Sequence, residues 1–471
     1  MLDVLLLFCV LQVLVVDLIM PHGRKRALGY MTAVLLALVF AVSFFVDTSG
    51  TAFFGAYQGG TWPLFFKRIF LGIGVIVTLG SIDYVDRYFS NRQGEFYMIM
   101  LSSLLGMTVL PGAQNLVLLM VCFELMGIPL VILAAFAKTE DPTGPGKHGV
   151  EAALKLYLVS AVSTAVTLFG LSLVFGMAGS TDLSVIAQTA KSPVFTLGIF
   201  LTLAGMGFKV GAVPFHMWVP DAYQGAPLPV VTFMSVAPKA AGLATLMMLF
   251  VKGFGSVQGL WLPMLLVILV VTMVLGNLLA LPQRDVKRML AYSGIAQMGY
   301  MLIPLAVGDS YSIATLLFYL VGYAVTNMGA FLVVMAVTQS KTHEAPMSDF
   351  DGLAHRAPGL ALAMLLFLLS LAGIPFVVGF WAKLYVFSAA YQAGHGWLVL
   401  LGALFAVVAL FYYLQLARAM YMKPVTDESP VKYDLALKVA IAVCIFAVVG
   451  IGAWPQPFLE SARLASLAFA G

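Results

Sequence analysis

The chain has 471 residues, of which 62% are hydrophobic and 10% charged, with a mean hydropathy of +1.01 and a formal net charge of +4. Soluble domains carry about 25% charged residues, so these charges cannot wrap a core of this size in polar surface, and a soluble fold is excluded. The small positive excess lies in loops and gives no sign of nucleic-acid binding, while Cys9, Cys122 and Cys444 stand far apart without a Cys-x-x-Cys, which disfavours iron–sulfur clusters, structural zinc and disulfides.

Apolar runs of about 20 residues read as membrane spans. There are fourteen, at 2–20, 27–46, 65–82, 95–111, 114–136, 150–176, 194–217, 228–251, 260–281, 288–307, 311–338, 358–390, 397–421 and 434–453. The first suits a retained helix rather than a signal peptide, because Asp3 stands in place of a basic start and Arg24, Lys25 and Arg26 follow the apolar run. Connections such as KTEDPTGPGKHG at 138–149 are short and turn-rich, which leaves no extramembrane domain. The fold expected is an all-α polytopic membrane protein.

With the N-terminus outside, fifteen Lys and Arg residues fall in inside loops, among them Arg24, Lys138, Arg284, Lys341 and Lys432. Outside loops hold five, Lys67, Arg68, Lys191, Lys252 and Arg463. That asymmetry predicts both termini on the outer side. The other five basic residues, Lys155, Lys209, Lys239, Lys383 and Arg418, fall inside spans. Arg418 is close enough to an inner end to snorkel; Lys155, one to two turns from such an end, suits snorkelling or function equally.

Lys209, Lys239 and Lys383 are too deep for an easy exit. A charge at the centre of a membrane helix costs roughly 2.5–3.5 kcal/mol on insertion scales, so each is expected to be functional. Glu124, in LLMVCFELMGIPLVIL, is a mid-span carboxylate that needs a cationic partner, and an intramembrane lysine is the candidate.

Lys209 and Lys239 share one stretch, GMGFKVGAVPFHMWVPDAYQGAPLPVVTFMSVAPKAAG at 205–242. Pro214 removes the backbone bond to Val210 and is expected to break the seventh span beside Lys209, which is tolerated at membrane depth only where protein or a hydrated cavity re-satisfies the backbone. Residues 358–390 would make a straight helix of about 48 Å against a hydrocarbon core of about 30 Å. Gly373 and Pro375 mark its interruption, with Lys383 one to two turns later. Lysine precedes the break in the seventh span and follows it in the twelfth, the pattern of two inverted five-helix repeats, helices 4–8 and 9–13. The expected division is a three-helix segment 1–94, repeats 95–252 and 253–423, and a C-terminal helix in 424–471.

Several motifs have plainer readings. Gly205, Gly207 and Gly211 form GxGxxxG with no preceding strand, which suits helix packing rather than a dinucleotide. His343 and Glu344 have no second histidine at metal-ligand spacing. His216, beside Pro214, either caps the broken helix or relays protons. Asp221, in the PDAYQGAP turn, is expected to stabilise the connection.

The 205–242 stretch, GNLLALPQRDVKRMLAYSGIAQMGY at 276–300 and DFDGLAHRAPGLALAMLLFLLSLAGIPFVVGFWAKLYVF at 349–387 closely resemble the N-type antiporter-like subunits of proton-pumping NADH:quinone oxidoreductase, respiratory complex I. The resemblance covers spans 4–13. It implies proton transfer through Glu124 in the fifth helix, Lys209 in the seventh, Lys239 in the eighth and Lys383 in the twelfth, with Lys155 matching a lysine at the start of the sixth. It also implies a bacterial inner membrane, membrane-arm partner subunits, and quinone, FMN and iron–sulfur clusters held by partners, with no cofactor in this chain. Where many members have histidine, this chain has Gln297, which orders water but does not take up a proton in this pH range. Tyr292, Tyr300, Tyr319, Tyr323 and Asn327 are candidates to order water across that gap.

The resulting expectation is a proton inlet from the inside, a central axis Glu124–Lys209–Lys239–Lys383 and an outlet near Lys383. Burial disfavours the ammonium form and a close carboxylate favours it, so movement of Glu124 relative to Lys209 would switch the proton. The alternatives are a Na⁺/H⁺ exchanger, or the equivalent subunit of a complex driven by ferredoxin, F420 or hydrogen.

Overall fold

A computed structural model of the chain describes residues 1–21, 24–46, 48–137, 146–338, 344–425 and 429–470. Lys138, Lys341 and His343 lie outside the described residues. Lipid offers no hydrogen bonds, so apolar sequence of this length closes its backbone bonds within helices.

The order begins with α1 (Leu2–Ile19), α2 (Arg26–Val42), a two-stranded antiparallel ribbon β1 (Thr51–Ala52) and β2 (Tyr57–Gln58), and α3 (Thr61–Tyr88). Next come α4 (Gln93–Val109), α5 (Leu116–Ala134), α6 (Gly146–Ala178), the one-turn α7 (Leu183–Ile186), α8 (Pro193–Val210) and α9 (Trp218–Gly225). Then follow α10 (Leu228–Met234), α11 (Ala237–Leu246), α12 (Gln258–Ala280), α13 (Val286–Val307) and α14 (Ser310–Thr338). The chain closes with α15 (Leu353–Arg356), α16 (Pro358–Ala372), α17 (Val378–Gln392), α18 (Gly396–Met422), α19 (Leu435–Ala453) and α20 (Gln456–Ala470).

Twelve helical stretches among the described residues are long and apolar enough to cross a membrane. Of the other expected spans, the second is the shorter apolar helix α2, and the twelfth is divided into α16 and α17. Within an apolar 18-residue window of the stretches 228–253, 286–307 and 310–338, 94%, 89% and 89% of residues are buried, and these form the centre; α1, α6 and α18, where that share is 28%, form the rim.

Helix starts are written in the sequence. Asn115 caps α5 by accepting from Leu118 N at 2.8 Å, Ser192 caps α8, Asp285 caps α13 and Asp434 caps α19. Two of these starts are also pinned by short backbone bridges. Asn115 pairs with Asp182, beyond the end of α6, and Asp285 pairs with Pro346, beyond the end of α14. Because successive spans alternate in direction, the two bridges lie at opposite ends of the bundle.

The end with the 20–25, 88–92 and 281–285 connections, called the basic end below, is tied by charge. Lys25 pairs with Asp17 at 2.9 Å, and the Arg26 guanidinium lies 3.4–3.7 Å from Asp83, Asp86 and Asp434, joining α2, α3 and α19. Lys67, placed in a loop by the sequence, is instead buried in α3 and paired with Asp3 of α1. The paired carboxylate is what allows that lysine to leave water.

Two further departures concern helix ends. The seventh span stops at Val210, not at 217, because Gly211 adopts a left-handed conformation (φ 71°) and closes the helix through Gly211 N to Phe208 O and Ala212 N to Gly207 O. Pro214 lies beyond that stop and only prevents resumption. The tail after α19 forms α20, whose Ala462, Ala465 and Phe469 pack inward, Phe469 lying 4.1 Å from the Trp62 ring, while Leu464 and Leu467 stay exposed.

Candidate functional site

Three interruptions of the helical backbone each carry a buried lysine. Lys209 is the penultimate residue of α8, in the turn where unsatisfied carbonyls favour a cation. The Phe208 carbonyl accepts from Trp218 Nε1 at 3.0 Å, and Val213 N donates to Thr272 Oγ1 at 2.9 Å, so the break leaves these groups satisfied. The Lys209 ammonium donates to Ser160 Oγ at 3.2 Å and lies 4.6 Å from the Phe123 ring centre. Glu124, half-buried on α5, accepts from Thr164 Oγ1 at 2.8 Å. Lysine and glutamate therefore rest on hydroxyls one turn apart on α6.

Lys239 marks an interruption that the sequence reading missed. The eighth span divides at Ser235–Val236 into α10 and α11, with Pro238 in the first turn of α11. Proline lacks the N–H that would bond Met234 O; that carbonyl accepts from Tyr223 OH at 3.3 Å, and Ser235 O accepts from Tyr323 OH at 3.0 Å. The Lys239 ammonium donates to the same Tyr323 oxygen at 3.3 Å and is 1% exposed. Tyrosines thus replace the missing backbone donors and line the lysine.

Lys383, on the second half of the twelfth span, donates to the carbonyls of Leu371 and Ala372 at 2.9 and 2.8 Å. These are the last carbonyls of α16, which Gly373 ends in a left-handed turn (φ 88°), so the ammonium sits at a helix C-terminus. Gln297 reaches the same place: its Nε2 donates to Leu371 O at 2.9 Å and its Oε1 accepts from Tyr319 OH. Tyr300 lies with its ring centre 5.0 Å from the Lys383 ammonium and donates to Gly402 O at 3.2 Å.

Small cavities fill the gaps. One of about 30 Å³ lies between Lys209, Ser160, Met234 and Pro238, on the way to Lys239. Another of about 10 Å³ is lined by Gln297, Tyr319, Tyr323, Thr326 and Ser370. Such volumes are about what one water requires. The Asn327 amide, one turn from Tyr323 and 1% exposed, makes no hydrogen bond with a described residue.

Lys155 is not part of this buried line. It lies at the basic end, about half exposed, pairing with Glu151 at 2.7 Å and Asp221 at 3.1 Å. Asp221 also accepts from Arg288 at 2.9 Å, and Arg288 donates to Gln224 at 2.8 Å, so α9 is fastened to α6 and α13. Lys155, Glu151, Asp221 and Gln224 wall a cleft of about 250 Å³ together with His148 and Glu344. His216 is buried beside the break, with Nδ1 lacking a hydrogen-bond partner among the described residues.

Residues 113–409 match the family described as NADH:quinone oxidoreductase/Mrp antiporter, transmembrane. The chain belongs to that family. The antiporter family member NADH-quinone oxidoreductase subunit N of Desulforamulus reducens is 37% identical over 98% of this chain and 96% of its own length. A chain of respiratory complex I from Thermus thermophilus with bound aureothin superposes with a TM-score of 0.84 at 30% identity, covering 98% of this chain and 99% of that one. A chain of the Mrp complex from Dietzia sp. DQ12-45-1b shares the fold, with a TM-score of 0.88 at 17% identity over 100% and 97% of the two chains.

Several antiporter-family site neighbours were not singled out from sequence: Ser160, Thr164, Phe123, Ser235 and the carbonyl of Leu371. Ser160 and Thr164 carry a weak signal, two hydroxyls one turn apart in an apolar helix. Tyr412 and Tyr413 carry a clearer one, adjacent phenols inside a span; they bond Asn277 at 3.1 Å and Ser293 at 2.5 Å.

Proposed function

We propose that this chain is a proton-translocating membrane-arm subunit of an NADH:quinone oxidoreductase, moving protons along Glu124, Lys209, Lys239 and Lys383. The observation that carries the reading is the linkage in the second half of the axis. Lys239 bonds Tyr323, Tyr319 on the same face of α14 bonds Gln297, and Gln297 shares the Leu371 carbonyl with Lys383. A membrane anchor has no use for three buried ammonium groups at three backbone interruptions.

In this reading the basic end faces the cytoplasm of a bacterial cell and both termini face the periplasm. Protons enter near the Asp221 cleft, and the unsatisfied Asn327 amide holds water beside Tyr323. Glu124, on the partly exposed face of α5, responds to a neighbouring subunit and alters the proton affinity of Lys209. Lys383 releases the proton to the periplasmic side. Gln297 and Tyr300 orient the last step; Lys155 and His216 contribute to the inlet and the α8–α9 break. Energy comes from quinone reduction in partner subunits, which hold the FMN and iron–sulfur clusters. The two mirrored bridges, Asn115–Asp182 and Asp285–Pro346, support a division into inverted repeats 95–252 and 253–423.

Lys209→Ala and Glu124→Gln are expected to abolish or strongly lower proton pumping in the assembled complex. Proton-to-electron stoichiometry in inverted vesicles decides the matter, and normal values in both variants would remove the axis. Sodium-driven proton flux by this chain alone would instead favour an exchanger.

A further inference from the structure

We propose that Gly127 and Gly294 are positioning residues: each leaves open the space that a path lysine needs for its ammonium group. The inference rests on the reading of these lysines as the proton path. A methyl group at residue 127, in the middle of α5, would lie 2.9 Å from Lys209 Nζ. At residue 294, in α13, it would lie 2.6 Å from Lys239 Nζ and 3.0 Å from Tyr323 OH, the two atoms joined in the 3.3 Å hydrogen bond.

Glycine in a helix interior lowers its stability, and the ordinary compensation in a membrane is close approach of a neighbouring backbone. Gly276 has that compensation, since a methyl there would meet Ala296 N at 2.5 Å. At 127 and 294 no backbone atom of another segment lies within 4 Å of the missing methyl, only the tips of side chains. The space is therefore reserved for the ammonium and not for helix packing. Gly373 stands in the same relation to Lys383, whose Cδ would lie 2.8 Å away, but its positive φ of 88° also ends α16 and its substitution would not separate the two roles.

Displacing a flexible lysine tip costs the fold little, whereas it shifts the proton-carrying atom from its partners. Gly127→Ala and Gly294→Ala should assemble into the complex at wild-type level on native gels. Each should pump roughly ten-fold more slowly, the effect of losing one charge-assisted hydrogen bond, with a changed pH profile of coupled turnover. Gly276→Ala should behave oppositely, with less assembled complex and unchanged pumping per complex. Wild-type pumping and pH profile in both alanine variants, with Lys209→Ala inactive, would overturn the seats while sparing the path. Loss of assembly in both would make them packing glycines and overturn the proposal as well. Normal pumping by Lys209→Ala would remove the path itself.

Discussion

Lys209 and Glu124 are held by hydroxyls one turn apart on α6, Ser160 and Thr164, and no ion pair joins them. A carboxylate and an ammonium that rest near each other without pairing are poised for a change in separation, which a direct buried ion pair would resist.

The hydroxyls should therefore matter to coupling. Ser160→Ala removes the Lys209 partner and Thr164→Val the Glu124 partner, each a hydrogen bond to a charged group of about 1.5–3 kcal/mol. We expect each variant to slow pumping roughly ten-fold or more, with a non-additive double variant. Initial rates of vesicle acidification against quinone reduction supply the measurement.

Tyr323→Phe removes the acceptor of Lys239 and the donor to Ser235 O together. The carbonyl freed near Pro238 is then left unsatisfied in a fully buried site, a penalty of about 1–3 kcal/mol. The expected outcome is lower thermal stability together with slower pumping. Tyr319→Phe, which touches Gln297 and not Lys239, should slow pumping with a smaller loss of stability. Melting curves of the purified complex beside flux measurements separate the two effects.

At Gln297, replacement by leucine strips the Leu371 carbonyl of one donor and the Tyr319 hydroxyl of its acceptor. Pumping is expected to fall roughly ten-fold or more while quinone binding in partner subunits is unaffected. Gln297→His keeps donor and acceptor sites and adds a group that titrates near neutrality. It should retain pumping with an altered pH profile, read from pumping rates measured across pH in both proteins.

Asp221 fastens α9 from two sides, by Lys155 and Arg288. Partly exposed pairs of this kind contribute about 0–1 kcal/mol each and weaken with salt, so Asp221→Ala should barely change the overall stability. It should raise hydrogen exchange across 218–225, and high salt should produce a milder version of the same change in the parent.

Orientation can be read with single cysteines, because Cys9, Cys122 and Cys444 are buried. A membrane-impermeant maleimide applied to intact cells should label Ser461→Cys. Gln283→Cys should react only after permeabilisation. The reverse pattern would invert the proposed sidedness.

The spans were legible because lipid imposes one solution on long apolar runs, and the deep lysines because a charge in such a run is costly. Gly373 was legible as a break for the same reason of length. The division at Ser235 was not, since Pro238 lies close enough to a helix start to pass for a first-turn proline, and the tyrosines that repair the backbone come from distant segments. Lys67 was misplaced because sequence shows its nearness to a span end but not the Asp3 carboxylate 64 residues away that lets it sink. Glu124 and Lys209 were legible as deep charges, while the α6 hydroxyls that hold them, Thr164 and Ser160, looked like ordinary polar substitutions in a helix.

The contribution of Leu371 is its carbonyl oxygen, shared by Gln297 and Lys383. No side-chain substitution at 371 deletes that atom, so alanine, valine or phenylalanine there should leave the contact standing. A scan of single side chains would score the position as tolerant and pass over it. Moving the end of α16, by shortening it or shifting its Gly373 stop, is the change that would expose this station. The Leu371 contact can be relocated by inheritance but not mutated away at its own position.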